Sequence, residues 1–168
     1  SLTDTVPDVD LLKPGVQTTL RCAIDFANRR EGADVIKFEI PATDPDYRGG
    51  IPRIRPATAL PIINTPVIID GWSQHPNSLT PPVEISGENA NLAGVVRPAG
   101  LEIFDTRGCE LRGLAIFGFV AAGLNSTDLY AARADGILLN SASECRVVGC
   151  HLGIDGPGRV AKGNDGYG

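Results

Sequence analysis

Three stretches decide how this chain is read: Val67-Ile68-Ile69-Asp70-Gly71, Glu110-Leu111-Arg112-Gly113-Leu114-Ala115-Ile116 and Arg146-Val147-Val148-Gly149-Cys150-His151-Leu152. Each is a short apolar strand running into a glycine corner with a further pattern beyond it. A second phrase recurs as Gly100-Leu101-Glu102-Ile103 and Asp135-Gly136-Ile137-Leu138-Leu139, and starts again at Asp165-Gly166-Tyr167. Repeated units of strand and corner, with little helix between them, point to a solenoid of stacked strands. The corner glycines are unequally spaced, at 71, 113 and 149. A stacked-strand fold tolerates this, because insertions at corners lengthen a layer without moving its strands. A sandwich of hairpins is the competing reading. It is less favoured, because the chain has no Asn-Gly pair and its Asp-Gly pairs fall at recurring strand ends. The expected class is all-β: a parallel β-helix with one N-terminal capping α-helix.

Superposing the three stretches stacks Val67, Cys109 and Cys145 in one column, Ile69, Leu111 and Val147 in the next, and Trp72, Leu114 and Cys150 in a third. The first two share parity and are expected to point inward together. Stacked strands lie roughly 4.8 Å apart, within the Cα range that a disulfide spans. Cys109–Cys145 is therefore a candidate cross-strand disulfide. A ladder of small buried thiols is the alternative. Cys22 and Cys150 read as core residues.

The expected domain is single, 1–168, with a lead-in and cap helix over 1–32 and stacked strands over 33–168. Residues 1–16 read as an extended lead-in, with Val9, Leu11 and Leu12 as a candidate first strand. Helix is expected from 18 to about 30, where Leu20, Ile24 and Ala27 recur at helical spacing. Thr18 or Thr19 can cap its start, and Gly32 suits its end. From 33 the period becomes two, with short strands from 35–40 through 94–97 to 145–152. Residues 120–134 read as a corner insertion. The unfinished phrase at Asp165 suggests a longer solenoid, of which this is the N-terminal part, or self-association through the C-terminal end.

The chain has 168 residues, a net charge of −5, 42% hydrophobic content and 5% aromatics. That is enough length for one real core, while the acidic balance offers no footprint for nucleic acid. No apolar run reaches membrane-spanning length. The four cysteines, Cys22, Cys109, Cys145 and Cys150, do not pair at zinc-site spacing.

The segment Thr18-Thr19-Leu20-Arg21-Cys22-Ala23-Ile24-Asp25-Phe26-Ala27-Asn28, followed by Asp34-Val35-Ile36-Lys37-Phe38-Glu39-Ile40-Pro41, resembles the start of many secreted bacterial right-handed parallel β-helix proteins. These include adhesin-like and polymorphic outer-membrane-protein-like chains, in which an "SLRxAIxxAN" cap helix precedes "DxIxFxIP". The order of Leu60-Pro61-Ile62-Ile63 and the later glycine phrases also fits, so the likeness runs from about residue 17 onward. Thr19 replaces the more usual Ser or Cys. The resemblance implies a right-handed solenoid behind a cap helix, secretion or cell-surface display, and a bacterial setting. It carries over no catalytic residue.

Binding candidates are Trp72 and His75, in the loop 72–79, together with Arg112 and Arg146. Arg53, Arg55, Arg97 and Arg107 are further cations able to meet acidic sugars, although solvated faces explain all six of these arginines more cheaply. Carboxylates at Asp70, Glu84, Glu102, Asp105, Glu110 and Asp155 form no single repeated column. Glu102 and Glu110 should face solvent, and Asp70 and Asp155, beside glycines, read as corner caps. His75 and His151 lack companions at metal-ligand spacing. No cofactor is expected. Calcium is the one ion suggested, by Asp155-Gly156-Pro157-Gly158 and Gly163-Asn164-Asp165-Gly166, which lack an EF-hand's ligand pattern and read as turns. Asn125-Ser126-Thr127 matches a glycosylation sequon and reads as a chance match. The expectation for function is a secreted or cell-surface binding module contacting a polysaccharide or surface glycan, as in adhesion. A polysaccharide lyase, epimerase or glycosidase is the alternative, and an end-to-end assembly module the third reading.

Overall fold

The computed structural model describes residues 19–90, 99–120 and 134–166. The expected lead-in over 1–16, the strand at 94–97, nearly all of the insertion at 120–134, Arg97, the sequon at Asn125 and the last two residues lie outside these.

Helix α1 (Leu20–Ala27) begins where Thr19, in extended conformation, accepts a hydrogen bond from the Cys22 amide at 3.2 Å. This satisfies one of the free N–H groups of the first turn. Leu20, Cys22, Ile24 and Ala27 form its buried face. The helix ends earlier than its periodicity suggests. After Asn28 the amides of Arg29 and Arg30 bond to Phe26 and Ala27, three residues back, and the Asn28 side chain ties this end to the chain beyond. Its Nδ2 donates to the Ile62 carbonyl at 2.7 Å and its Oδ1 accepts from the Asn64 amide at 3.1 Å. Gly32, at φ +98°, then turns the chain into the strands.

The strands are β1 (Asp34–Lys37), β2 (Tyr47–Arg48), β3 (Ile51–Ile54), β4 (Val67–Asp70), β5 (Val83–Ser86), β6 (Ala99–Phe104), β7 (Glu110–Arg112), β8 (Leu114–Phe117), β9 (Asp135–Asn140), β10 (Arg146–Val148) and β11 (His151–Leu152). They form sheets in the orders β1-β4-β7-β10, β11-β8-β5-β3-β2 and β6-β9. The first sheet is parallel, with Ile36, Ile69, Leu111 and Val147 in register. Ile85 and Ile116 pair in the second, and Ile103 lies between Ile63 and Leu139 in the third. These ladders converge with Leu20 and Ile24 of α1 in one apolar core. Burial drops in the last layer, where Val147 and Leu139 are 43% and 45% exposed against 0% and 1% for Leu111 and Ile103.

The fold class departs from expectation. The described residues form mixed parallel and antiparallel sheets with a few helices and no closed solenoid, an arrangement of α/β type rather than an all-β right-handed parallel β-helix. Two local features account for the departure. Gly49 and Gly50, at φ +60° and +86°, make a two-residue turn that folds β2 back on β3 as an antiparallel hairpin. Both central residues of such a turn need positive φ, which glycine adopts without strain. Further on, Ile154 bridges Ala161 in a second antiparallel contact.

The third expected column holds only in part: the pairing of His151 with Ala115 sets Cys150 beside Leu114, but Trp72 does not join them. After Gly71 the chain enters a single 3-10 turn, Gly71–Ser73, and the next strand starts only at Val83. Leu114 therefore pairs with Val83, and Trp72 lies outside the strands. Nor is the candidate disulfide formed: Cys109 and Cys145 are free thiols, as are Cys22 and Cys150. Burial pushes the Cys109 and Cys150 thiols above the usual range, which disfavours the thiolate that disulfide chemistry requires.

Candidate functional site

The corner glycines stack in close contact. A Cβ on Gly71 would stand 2.0 Å from the Gly113 carbonyl oxygen. Gly113 and Gly149 take φ +62° and +54°, and side chains there would meet the Trp72 indole at 3.0 and 2.6 Å. The indole thus lies across the two later glycine corners, half-exposed. Only residues without a side chain let it approach so closely.

Beside it, the outward positions of the first sheet carry charge. Lys37 of β1, Asp70 of β4 and Arg112 of β7 follow one another in register. Glu110 and Arg146 form the neighbouring cross-strand pair. Arg112 donates to Asp70 Oδ2 at 2.8 Å and to Glu110 Oε1 at 3.1 Å, while Arg146 lies 3.3 Å from Glu110 Oε2. Asp70 is 7% exposed. The hydrogen bond from Arg112 holds its carboxyl below the ordinary range, against the opposing effect of burial, and the guanidinium's charge assists. Asp70 makes no capping hydrogen bond to the turn that follows. Asp70 thus pairs with Arg112 from the N-terminal position of that turn, where the Ser73 and Trp72 amides lower its carboxyl further.

Lys37, Asp70, Trp72, Ser73, Pro76 and Arg112 line an open concavity of about 440 Å³, in the size range of small-molecule sites. Ser73 and Gln74 fasten its loop to the core. Ser73 Oγ accepts from the Phe38 amide at 2.7 Å and donates to the Asp70 carbonyl at 2.6 Å. The Gln74 amide meets both backbone groups of Ile40, accepting from its N–H at 2.8 Å and donating to its carbonyl at 3.0 Å.

Of the expected binding residues, Trp72 and Arg112 share this concavity, and Arg146 reaches it only through Glu110. His75 points elsewhere, with its Nε2 2.8 Å from the Tyr47 hydroxyl. Tyr47 had no sequence signal of its own; the hairpin turn Gly49-Gly50 was the clue. Lys37 carries its signal in the match of Asp34-Val35-Ile36-Lys37 to Val67-Ile68-Ile69-Asp70, which sets it beside Asp70.

The other candidates serve structure. Glu84 is buried, accepting from Arg53 Nε at 2.7 Å and the Gly156 amide at 2.9 Å. Arg53 and Lys162 each stand about 5 Å from the Phe117 ring centre. Arg55 pairs with Asp46, and Arg107 faces Glu144 at 3.9 Å. His151 Nδ1 lies 3.1 Å from the Asp155 carbonyl. The Asp155 carboxylate accepts from the amides of Arg159 and Val160 within its own turn. Among the described residues, no three His, Cys, Asp or Glu side chains gather as a metal site. No known family, curated protein or solved structure matches the chain.

The Asp70–Arg112 pair makes stability acid-sensitive. A carboxyl with a lowered folded-state pKa contributes stability that is complete above its unfolded value, about 3.9, and that is lost as pH falls through the folded value. Wild type should melt above Arg112→Gln at pH 6, and the gap should narrow below about pH 4 in melting scans. A gap that stays constant down to pH 2 contradicts the assignment.

Proposed function

We propose that the chain is a glycan-contacting module, secreted or displayed at a cell surface, which engages its ligand through the Trp72 concavity. One observation carries this reading. A partly buried indole is held over bare glycine corners at the wall of an open, polar-rimmed hollow. Pyranose rings present C–H faces that stack on an indole while their hydroxyls meet polar neighbours. The resemblance of residues 18–41 to bacterial surface proteins supports the location. Asp70, held ionised by Arg112, is suited to fixing charge in the wall rather than to donating a proton.

Affinity electrophoresis through gels containing different polysaccharides tests the reading. Wild type should be retarded by at least one of them. Trp72→Ala, confirmed folded by circular dichroism, should bind roughly 10- to 30-fold more weakly, as expected for an aromatic anchor. Unretarded wild-type migration in every gel would remove this function.

A further inference from the structure

Within this glycan-binding reading, we propose that the ligand is an acidic saccharide and that Lys37 receives its carboxylate. The inference rests on how the charges around the concavity are spent. Lys37 occupies the outward position of β1 directly beside Asp70, its natural cross-strand partner. Asp70, however, is taken by Arg112, which lies on its other side at 2.8 Å. The second branch of Arg112 goes to Glu110, and the other oxygen of Glu110 goes to Arg146. Every charge in this chain of pairs has a partner except Lys37, which is exposed and makes no ion pair or hydrogen bond with any described residue. The cluster holds three cations, Lys37, Arg112 and Arg146, and two anions, Asp70 and Glu110, a surplus of one positive charge. That surplus belongs to a protein whose net charge is −5. The acidic remainder repels anions in general, so an anionic ligand is favoured only where this local excess coincides with a fitting surface.

Geometry supplies that surface. Lys37 and Trp72 line the same hollow of about 440 Å³. A ligand lying on the indole therefore has the lysine within the same enclosure. The lysine's flexible stem and three rotatable donors suit a carboxylate presented at variable angle. A uronate residue carries both features, a stackable ring face and a carboxylate on its edge. A neutral hexose offers only the first.

The test compares this chain's binding to polygalacturonate, alginate and hyaluronan with its binding to the carboxyl-reduced form of each. Reduction removes the charge and leaves the linkage. At least one acidic polymer should bind about 10-fold or more tightly than its reduced form, with the advantage shrinking as salt rises. Lys37→Gln should erase that advantage, so that the acidic polymer and its reduced form bind the variant alike. Trp72→Ala should weaken both.

Equal binding of acidic and reduced forms overturns the proposal and leaves glycan contact standing. An undiminished preference in Lys37→Gln also overturns it, by moving the carboxylate contact elsewhere. Binding to neutral polysaccharides alone does the same. If no polysaccharide binds, acidic or neutral, both this inference and the reading beneath it fall.

Discussion

Gly71→Ala should lower the melting temperature by roughly 6–12 °C, corresponding to about 3 kcal/mol in a chain of this length. The added methyl has nowhere to go. It would stand 2.0 Å from the Gly113 oxygen, 2.7 Å from the Gly113 carbonyl carbon and 3.0 Å from the Arg112 oxygen, all of them backbone. A flexible side chain could swing aside. Here β4 and β7 must separate at the corner, and their pairing Asp70 to Arg112 lies immediately beside it. The matched control is Gly163→Ala, where a Cβ meets nothing within 4 Å and the backbone is not left-handed. That variant should stay within about 0.5 kcal/mol of wild type. Gly71→Ala and Gly163→Ala melting within 2 °C of each other would show that the corners do not stack this tightly.

The second large effect is expected at Glu84→Ala, again about 3 kcal/mol. Removing Glu84 takes away the close partner of the Arg53 guanidinium and leaves it only the longer contact with Glu88 at 3.5 Å. The Glu84 side chain is 5% exposed and that of Arg53 17%. The alanine also strips the acceptor from the Gly156 amide, a second buried group left without its bond. Glu84→Gln keeps one acceptor and should cost less. The double variant Arg53→Met/Glu84→Leu should recover part of the loss, because it withdraws both charges together and strands only the Gly156 amide. Urea denaturation of the four proteins ranks them. A double variant no more stable than Glu84→Ala would mean the cost lies in packing rather than in the abandoned guanidinium.

Much of the core was legible because it obeys a period. Alternation in Val67-Ile68-Ile69-Asp70, Glu110-Leu111-Arg112 and Arg146-Val147-Val148 matches the observed register of Ile69, Leu111 and Val147. The helix showed through Leu20, Ile24 and Ala27 for the same reason. What went unread depends on single residues rather than on periodicity. Gly49-Gly50 is a hairpin turn as good as Asn-Gly, and overlooking it hid both the antiparallel pair and the position of Tyr47. Setting Trp72 level with Leu114 requires every glycine corner to have the same length. The chain instead spends residues 71–82 on a turn and a loop before resuming as β5. Lys37 reads on its own as one solvated lysine on a strand. Its meaning depends on Arg112 having already taken Asp70, and pairing between residues 42 apart is invisible to local pattern.

The clips made by Ser73 and Gln74 have a kinetic consequence. Gln74 offers Ile40 an acceptor and a donor where a neighbouring strand would have offered its backbone, and Ser73 bonds to Phe38 just before it. The loop bearing Trp72 is thereby tied to the core before any ligand arrives. Capture then requires no prior rearrangement, so the observed association rate should rise linearly with ligand concentration without reaching a plateau. Cutting the tether with Gln74→Ala would leave the chemistry of the hollow unchanged. The cost would fall on encounter, since each collision would have to wait for the wall to form.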